Sequence, residues 1–195
     1  MQTQTLKPPQ PIPYPHSPLL KKLYRLPIFL YRLGFGPMIG KVILIISHHG
    51  RKTGKIRRTS VEYFQHEGRL FVMSGFGSRP DWYQNLQADP RAGLKIKNRQ
   101  ICARARSPQG EAEWDQVIAF LKSSPVAQLS GHPHQSQLDE PEVRAAIKNW
   151  PVLTFDLTDE PCPAPLEADL TWAWPLILLA AALALLLGWF CLRKH

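Results

Sequence analysis

Five cationic side chains crowd the eight positions from Arg51 to Arg58: Arg51, Lys52, Lys55, Arg57 and Arg58. Gly50 and Gly54 punctuate the stretch, with Thr53 between them. Glycine lets a backbone bend sharply and lets another group come close. Arginine offers a planar donor fork matched to phosphate, and lysine a mobile point charge. A tight basic loop with free amides is an anion cradle in the making, although a solvated turn kept soluble by charge accounts for the same residues. It is not a Walker loop. Gly50 and Gly54 are too closely spaced, and a strand pattern follows where a helix is required.

Other residue types offer less. His48-His49 are adjacent, and His132 and His134 are two apart, but no carboxylate or cysteine joins either pair at a familiar ligand spacing, so no metal site is expected. No Gly-x-Ser-x-Gly elbow is present, and Cys102 falls within a predicted strand. Asp81, beside Trp82, is explained more simply as a helix-start residue than as a buried acid. With no evident nucleophile or general base, the fitting chemistry is that of an organic hydride carrier, which brings its own reactivity.

These residues need elements to hold them. The apolar run Val42–Ile46 reads as a buried strand leading into the basic loop, and Ser60–Gln65 as the strand leading out. Glu67-Gly68 marks a hairpin to Arg69–Ser74, and Asn98-Arg99 another between Ala92–Lys97 and Gln100–Arg106. Ser78 is placed to cap a helix that Asp81 answers and that ends before Pro90. A second helix opens at Ser107-Pro108, with Trp114, Val117, Ile118 and Leu121 inward. Glu142–Trp150 predicts a short helix and Val152–Leu157 a closing strand. The class is α+β, most simply a small barrel with helices outside.

The net charge of +9 conceals an asymmetry, since residues 1–110 carry 19 Lys/Arg against 4 Asp/Glu and the remainder 5 against 11. The front of the chain should attract an acidic partner. Aromatic residues are not interleaved with the loop's charges, so nucleic acid is not the expected one. Three scattered cysteines, Cys102, Cys162 and Cys191, suggest no disulfide frame, which points to a reducing compartment. Trp172–Leu192 runs 21 residues without a charge. At about 1.5 Å per residue this spans roughly 30 Å, the depth of a hydrocarbon core. Pro175 falls in its first turn, and Trp172, Trp174 and Trp189 near its ends suit the interfaces.

The domain order expected is a proline-rich disordered arm (1–18), a basic amphipathic segment kinked at Pro27 (19–40) and a folded domain (41–157). A proline-rich tether (158–170) and a transmembrane helix (171–192) follow.

The motifs Gly50-Arg51-Lys52-Thr53-Gly54, Ser74-Gly75-Phe76-Gly77 and Asp81-Trp82-Tyr83-Gln84-Asn85-Leu86, with Asp89-Pro90, resemble those of the deazaflavin-dependent nitroreductase family. The likeness runs from about Leu33 to Asp156. It implies a split β-barrel of the FMN-binding type that holds coenzyme F420, a deazaflavin with a phosphate and an oligoglutamate tail. By position, Arg51, Lys52, Thr53 with Gly54, and Arg57 would hold the phosphate region. Met73, Ser74 and Gly75 would lie along the ring, with Trp82, Tyr83 and Asn85 supporting the pocket. Lys55 and Arg58 extend that set toward the glutamate tail. Residues 124–139 contain no tyrosine, which leaves acceptor specificity and a side-chain proton donor unassigned.

The function expected is therefore a membrane-anchored oxidoreductase passing a hydride to a quinone-like or nitroaromatic acceptor. It would sit at the cell membrane on a single-pass C-terminal anchor, with the catalytic domain on the cytoplasmic side and a homodimer possible. The alternatives are an FMN-dependent reductase of the same fold and a non-catalytic cofactor- or lipid-binding module.

Overall fold

The computed structural model describes residues 17, 22–123, 141–176, 178–179 and 182–183. Most of the arm 1–18, the stretch 124–139 with His132 and His134, and most of Trp172–Leu192 lie outside the described residues. Among those described, no helix is long and apolar enough to cross a membrane.

Helix α1 is Leu26–Arg32, with Pro27 in its first turn. Proline there sacrifices an amide that has no helical partner anyway, so the helix restarts at Leu26 after a turn at Tyr24-Arg25 that follows helical Lys22-Leu23, and the run is broken where Pro27 predicts. A single turn, α2 (Gly36–Ile39), follows. The Tyr31 hydroxyl donates to the Ile43 carbonyl at 2.7 Å and accepts from the Lys97 amide at 3.2 Å, pinning α1 to the sheet. Burial pushes that phenol up to about 12.

Strand β1 (Ile43–His49) pairs with β2 (Ile56–Glu62), which starts four residues earlier than its alternation suggests. Arg57 and Arg58 are thus strand residues on opposite faces, and the loop proper is 50–55. Strands β3 (Phe64–His66) and β4 (Arg69–Met73) join through Glu67-Gly68, both at positive φ (47° and 82°), as a tight hairpin turn requires. Helix α3 (Asp81–Ala88) follows Pro80 without a side-chain cap, so Ser78 does not serve as one. Then come β5 (Arg91–Ile96), β6 (Arg99–Arg106), α4 (Gly110–Ser123), α5 (Pro141–Lys148) and β7 (Val152–Leu157).

All seven strands form one antiparallel sheet in the order β2-β1-β5-β6-β7-β4-β3. Strand alternation divides the apolar residues between two faces. Leu44, Ile46, Val72, Leu94 and Leu153 share one core with Trp82 and Leu86 of α3. On the other face, Phe71 and Val152 meet Val117, Ile118 and Ile147 of α4 and α5, as the expected inner face of α4 requires.

The segment after β7 does not hang free as a tether. Cys162 is disulfide-bonded to Cys102 of β6 across 60 positions, which corrects the reading of the cysteines as unpaired. Leu166 is buried with Tyr31 and Ile45, and its carbonyl accepts from Gln100 Nε2. Pro163 crosses β5 so closely that a Cβ on Gly93 would sit 2.0 Å from its carbonyl oxygen. Gly93→Val should therefore cost about 1–3 kcal/mol through overpacking against backbone. Urea unfolding reads this, and an unchanged midpoint would contradict the close crossing.

Candidate functional site

The basic loop is a closed backbone turn. Gly50 N donates to Lys55 O at 2.9 Å, and the Thr53 and Gly54 amides donate to Gly50 O at 3.0 and 2.8 Å. Gly54 takes φ +65°, a conformation glycine adopts without strain. The Lys55 amide reaches Thr53 Oγ1 at 3.4 Å, and the Arg51 amide donates to Asn85 Oδ1 at 3.1 Å. The expected free amides are thus largely engaged inside the protein, because a turn this tight satisfies its own donors. Any anion must be held here mainly by side chains.

Those side chains are in place. Lys52, Lys55, Arg57 and Arg58 are exposed and form no ion pair among the described residues. Arg51 differs. Its Nη1 donates to Asp81 Oδ1 at 2.8 Å and to Asn85 Oδ1 at 3.0 Å, so it ties the loop to α3. Asp81 and Asn85 are four apart and share one helix face, a spacing from which this contact could have been read. Sequence reasoning took Asp81 as a capping residue and missed its partner.

Asn85 is also the bridge to a residue weighed only as a metal ligand. Its Nδ2 donates to Nδ1 of buried His48 at 3.2 Å, and His48 Nε2 faces Thr59 Oγ1 at 3.4 Å. This network assigns a neutral imidazole with its proton on Nε2. Burial, the largest cause, holds His48 below its ordinary value near 6.5. A proton on Nδ1 would oppose the Asn85 amide, and flipping that amide would break both Arg51 bonds. A histidine depressed in the folded state contributes stability above its unfolded pKa, and this is lost as pH falls below about 6.5. The melting temperature should drop between pH 7.5 and 5.5, and His48→Gln should flatten that drop. An equal fall in the variant would contradict the assignment. His49 has a different partner: its Nδ1 lies 3.0 Å from Asp89, a carboxylate held well below its usual range chiefly by Arg91.

The second motif forms a separate turn at the end of β4. Ser74 Oγ donates to Gly77 O at 2.6 Å, Ser74 N to Pro151 O at 2.9 Å, and Trp150 Nε1 to Ser74 O at 3.0 Å. Met73 is half-buried against the α4–α5 core, and Gly75 lies in the turn. Helix α3 joins the two motifs. Its N-terminus leaves the turn through Ser78–Pro80, where Gln84 Nε2 donates to the Ser78 and Arg79 carbonyls at 3.2 Å, and its Asp81 and Asn85 hold the loop. Trp82 belongs to the core, with Tyr83 packed beside it edge to face at 5.9 Å. Truncating Asn85 to alanine should cost about 1–3 kcal/mol by stranding buried partners. It should also free Arg51, readable as faster amide exchange at residues 50–55.

A model of the F420H(2)-dependent quinone reductase family matches residues 33–136, a stretch that contains the loop, the turn and α3. The chain belongs to this family. Among solved structures, an F420-H2 dependent reductase (FDR-A) is 19% identical over 60% of this chain and 95% of that one, with a TM-score of 0.43. A structure described as a domain-swapped dimer is 18% identical over 72% and 100%, TM-score 0.45. An FMN-binding protein from Nostoc punctiforme, related to pyridoxamine 5'-phosphate oxidase, is 14% identical over 74% and 83%, TM-score 0.40. As a member of the F420H(2)-dependent quinone reductase family, the protein is an oxidoreductase. The donor set suits that family's coenzyme: exposed Lys52, Lys55 and Arg57, without an ion pair among the described residues, match an acidic, phosphate-bearing tail, while Arg58 already acts on the Asp169 carboxylate.

Proposed function

We propose that the protein is a membrane-anchored reductase that uses coenzyme F420 and acts on a quinone dissolved in the bilayer. The observation that carries the reading is the hairpin of exposed Lys52, Lys55, Arg57 and Arg58, which form no ion pair within 4 Å among the described residues, braced by Arg51 against α3. Lys52, Thr53, Gly54 and Arg57, with Arg51, would hold the phosphate region, and Lys55 and Arg58 the tail. Ser74 and Gly75 would face the ring, with Met73, Trp82, Tyr83 and Asn85 supporting that pocket from behind. The antiparallel sheet, with β2 meeting β4, supports the split-barrel form of the domain.

Bound there, reduced coenzyme F420 supplies a hydride to an electron-poor acceptor. The chain's own task is to fix and shield. The loop arrives already closed, so binding need not order it. The turn at Ser74–Gly77 is braced by Trp150, which keeps its backbone in place beside the acceptor. No described side chain is assigned as proton donor.

The anchor is Trp172–Leu192, and the 158–170 segment seats its start on the domain. Arg193 and Lys194 after the run favour a cytoplasmic domain and C-terminus by charge. The Cys102–Cys162 bond favours the oxidising side, because disulfides are rare in the cytosol. Protease protection in sealed vesicles distinguishes the two. The activity test is menaquinone reduction by the full chain in vesicles, with the reduced coenzyme as donor. Turnover restricted to soluble nitro compounds would count against a bilayer acceptor.

A further inference from the structure

Two exposed apolar regions, far apart in sequence, are clamped together. Arg32 grips Asp169 through two bonds of 2.7 Å, and the Leu170 amide donates to Arg32 O at 2.9 Å. Trp174 Nε1 donates to Leu33 O at 2.8 Å, and its ring lies 4.9 Å from that of Phe35. The start of the uncharged C-terminal run is therefore fixed to the end of α1.

On the α1 side, Leu23 and Met38 are 60% and 66% exposed, and Tyr24, Leu26 and Phe29 are exposed with them. Lys22, Arg25 and Lys41 flank these residues, also exposed. On the other side Trp172, Leu176, Leu178 and Leu179 are exposed. Exposed apolar side chains gathered on both sides of one clamp, with a basic margin, mark an interaction site and not the scattered exposure of an ordinary surface. Its basic margin and its continuity with a run long enough to span a bilayer specify the occupant as lipid with anionic headgroups.

The surface also reaches the candidate site. The Tyr24 carbonyl accepts from Ser60 Oγ on β2, and the Tyr24 ring meets Phe76 edge to face at 5.8 Å. Phe76 lies in the Ser74–Gly77 turn. We propose that Leu23, Tyr24, Leu26, Phe29 and Met38 dock the domain on an anionic leaflet, with the turn at Phe76 set beside the lipid. An apolar acceptor then reaches the turn along Tyr24 without entering water. The proposal rests on the anchoring half of the functional reading and is independent of the coenzyme.

The test uses the full chain with Cys191→Ser and its native disulfide intact. A fluorophore is placed at Phe29→Cys, Met38→Cys or, as control, Gln65→Cys on the edge strand β3. The protein is reconstituted without coenzyme in phosphatidylglycerol vesicles carrying a nitroxide lipid. Quenching at 29 and 38 should exceed that at 65 by at least about twofold, as an interfacial helix requires. It should weaken when the phosphatidylglycerol is replaced by phosphatidylcholine. Protein that floats with the vesicles but quenches equally at all three sites overturns the docking surface and leaves the anchor standing. Protein that does not float overturns both. Burial of 29 and 38 against a second copy in detergent, without quenching in vesicles, also overturns it.

Discussion

Alanine at both Arg51 and Lys52 is expected to weaken coenzyme F420 binding by about 100-fold, since each charge-assisted contact to an anion is worth about tenfold or more. The two residues should fail differently. Lys52 has no ion-pair partner among the described residues, so Lys52→Ala should lower affinity and leave stability unchanged. Arg51 is committed to Asp81 and Asn85, so Arg51→Ala should lower affinity and also loosen the loop. Raising salt should weaken the wild type most and the double variant least, because screening acts on the charges removed. Titration of the full chain with the oxidised coenzyme reads all of this, with Lys122→Ala on α4 as a remote control. Equal affinity in the double variant and the wild type would end the case for the loop.

Converting Cys102 and Cys162 to serine is expected to cost about 2–4 kcal/mol, the range for a cross-link closing a long loop. That should lower the melting temperature by about 4–16 °C for a chain of this size. The same shift should follow when the wild type is reduced, and the serine variant should not respond to reductant. Beyond the global number, amide exchange should quicken at 158–170 before it quickens in β6, because the bond holds a strap to a strand that is independently paired on both sides. Uniform loss of protection would mean that the strap and sheet unfold as one unit.

The sheet and helices were legible where local pattern decides them. β7 lies at Val152–Leu157 as read, and α4 buries Val117, Ile118 and Leu121, because alternation and helical spacing are written into neighbouring residues. The hairpin at Glu67-Gly68 was legible from turn chemistry alone. What failed depended on distant partners. Asp81 looked like a cap until Arg51, thirty residues away, claimed it. Cys102 and Cys162 looked unpaired because no rule of spacing reaches across 60 positions. The loop's basic residues stand out by composition, but the division between Arg51, committed to Asp81 and Asn85, and the cations without an ion pair among the described residues was not legible. That division follows from where α3 lands on the loop. The role of His48, weighed only as a metal ligand, was hidden for the same reason: its partner is fixed only once Asn85 is buried against β1.

The crossing of Pro163 over Gly93 has a consequence for assembly. Strands β5 and β6 lie mid-sheet, where an uncovered face would be open to another subunit. Here the protein's own later residues already lie on that surface, fastened by a covalent bond at Cys102 and by the buried Leu166. The position is filled from within the same polypeptide, so a second subunit could stack there only by displacing this segment.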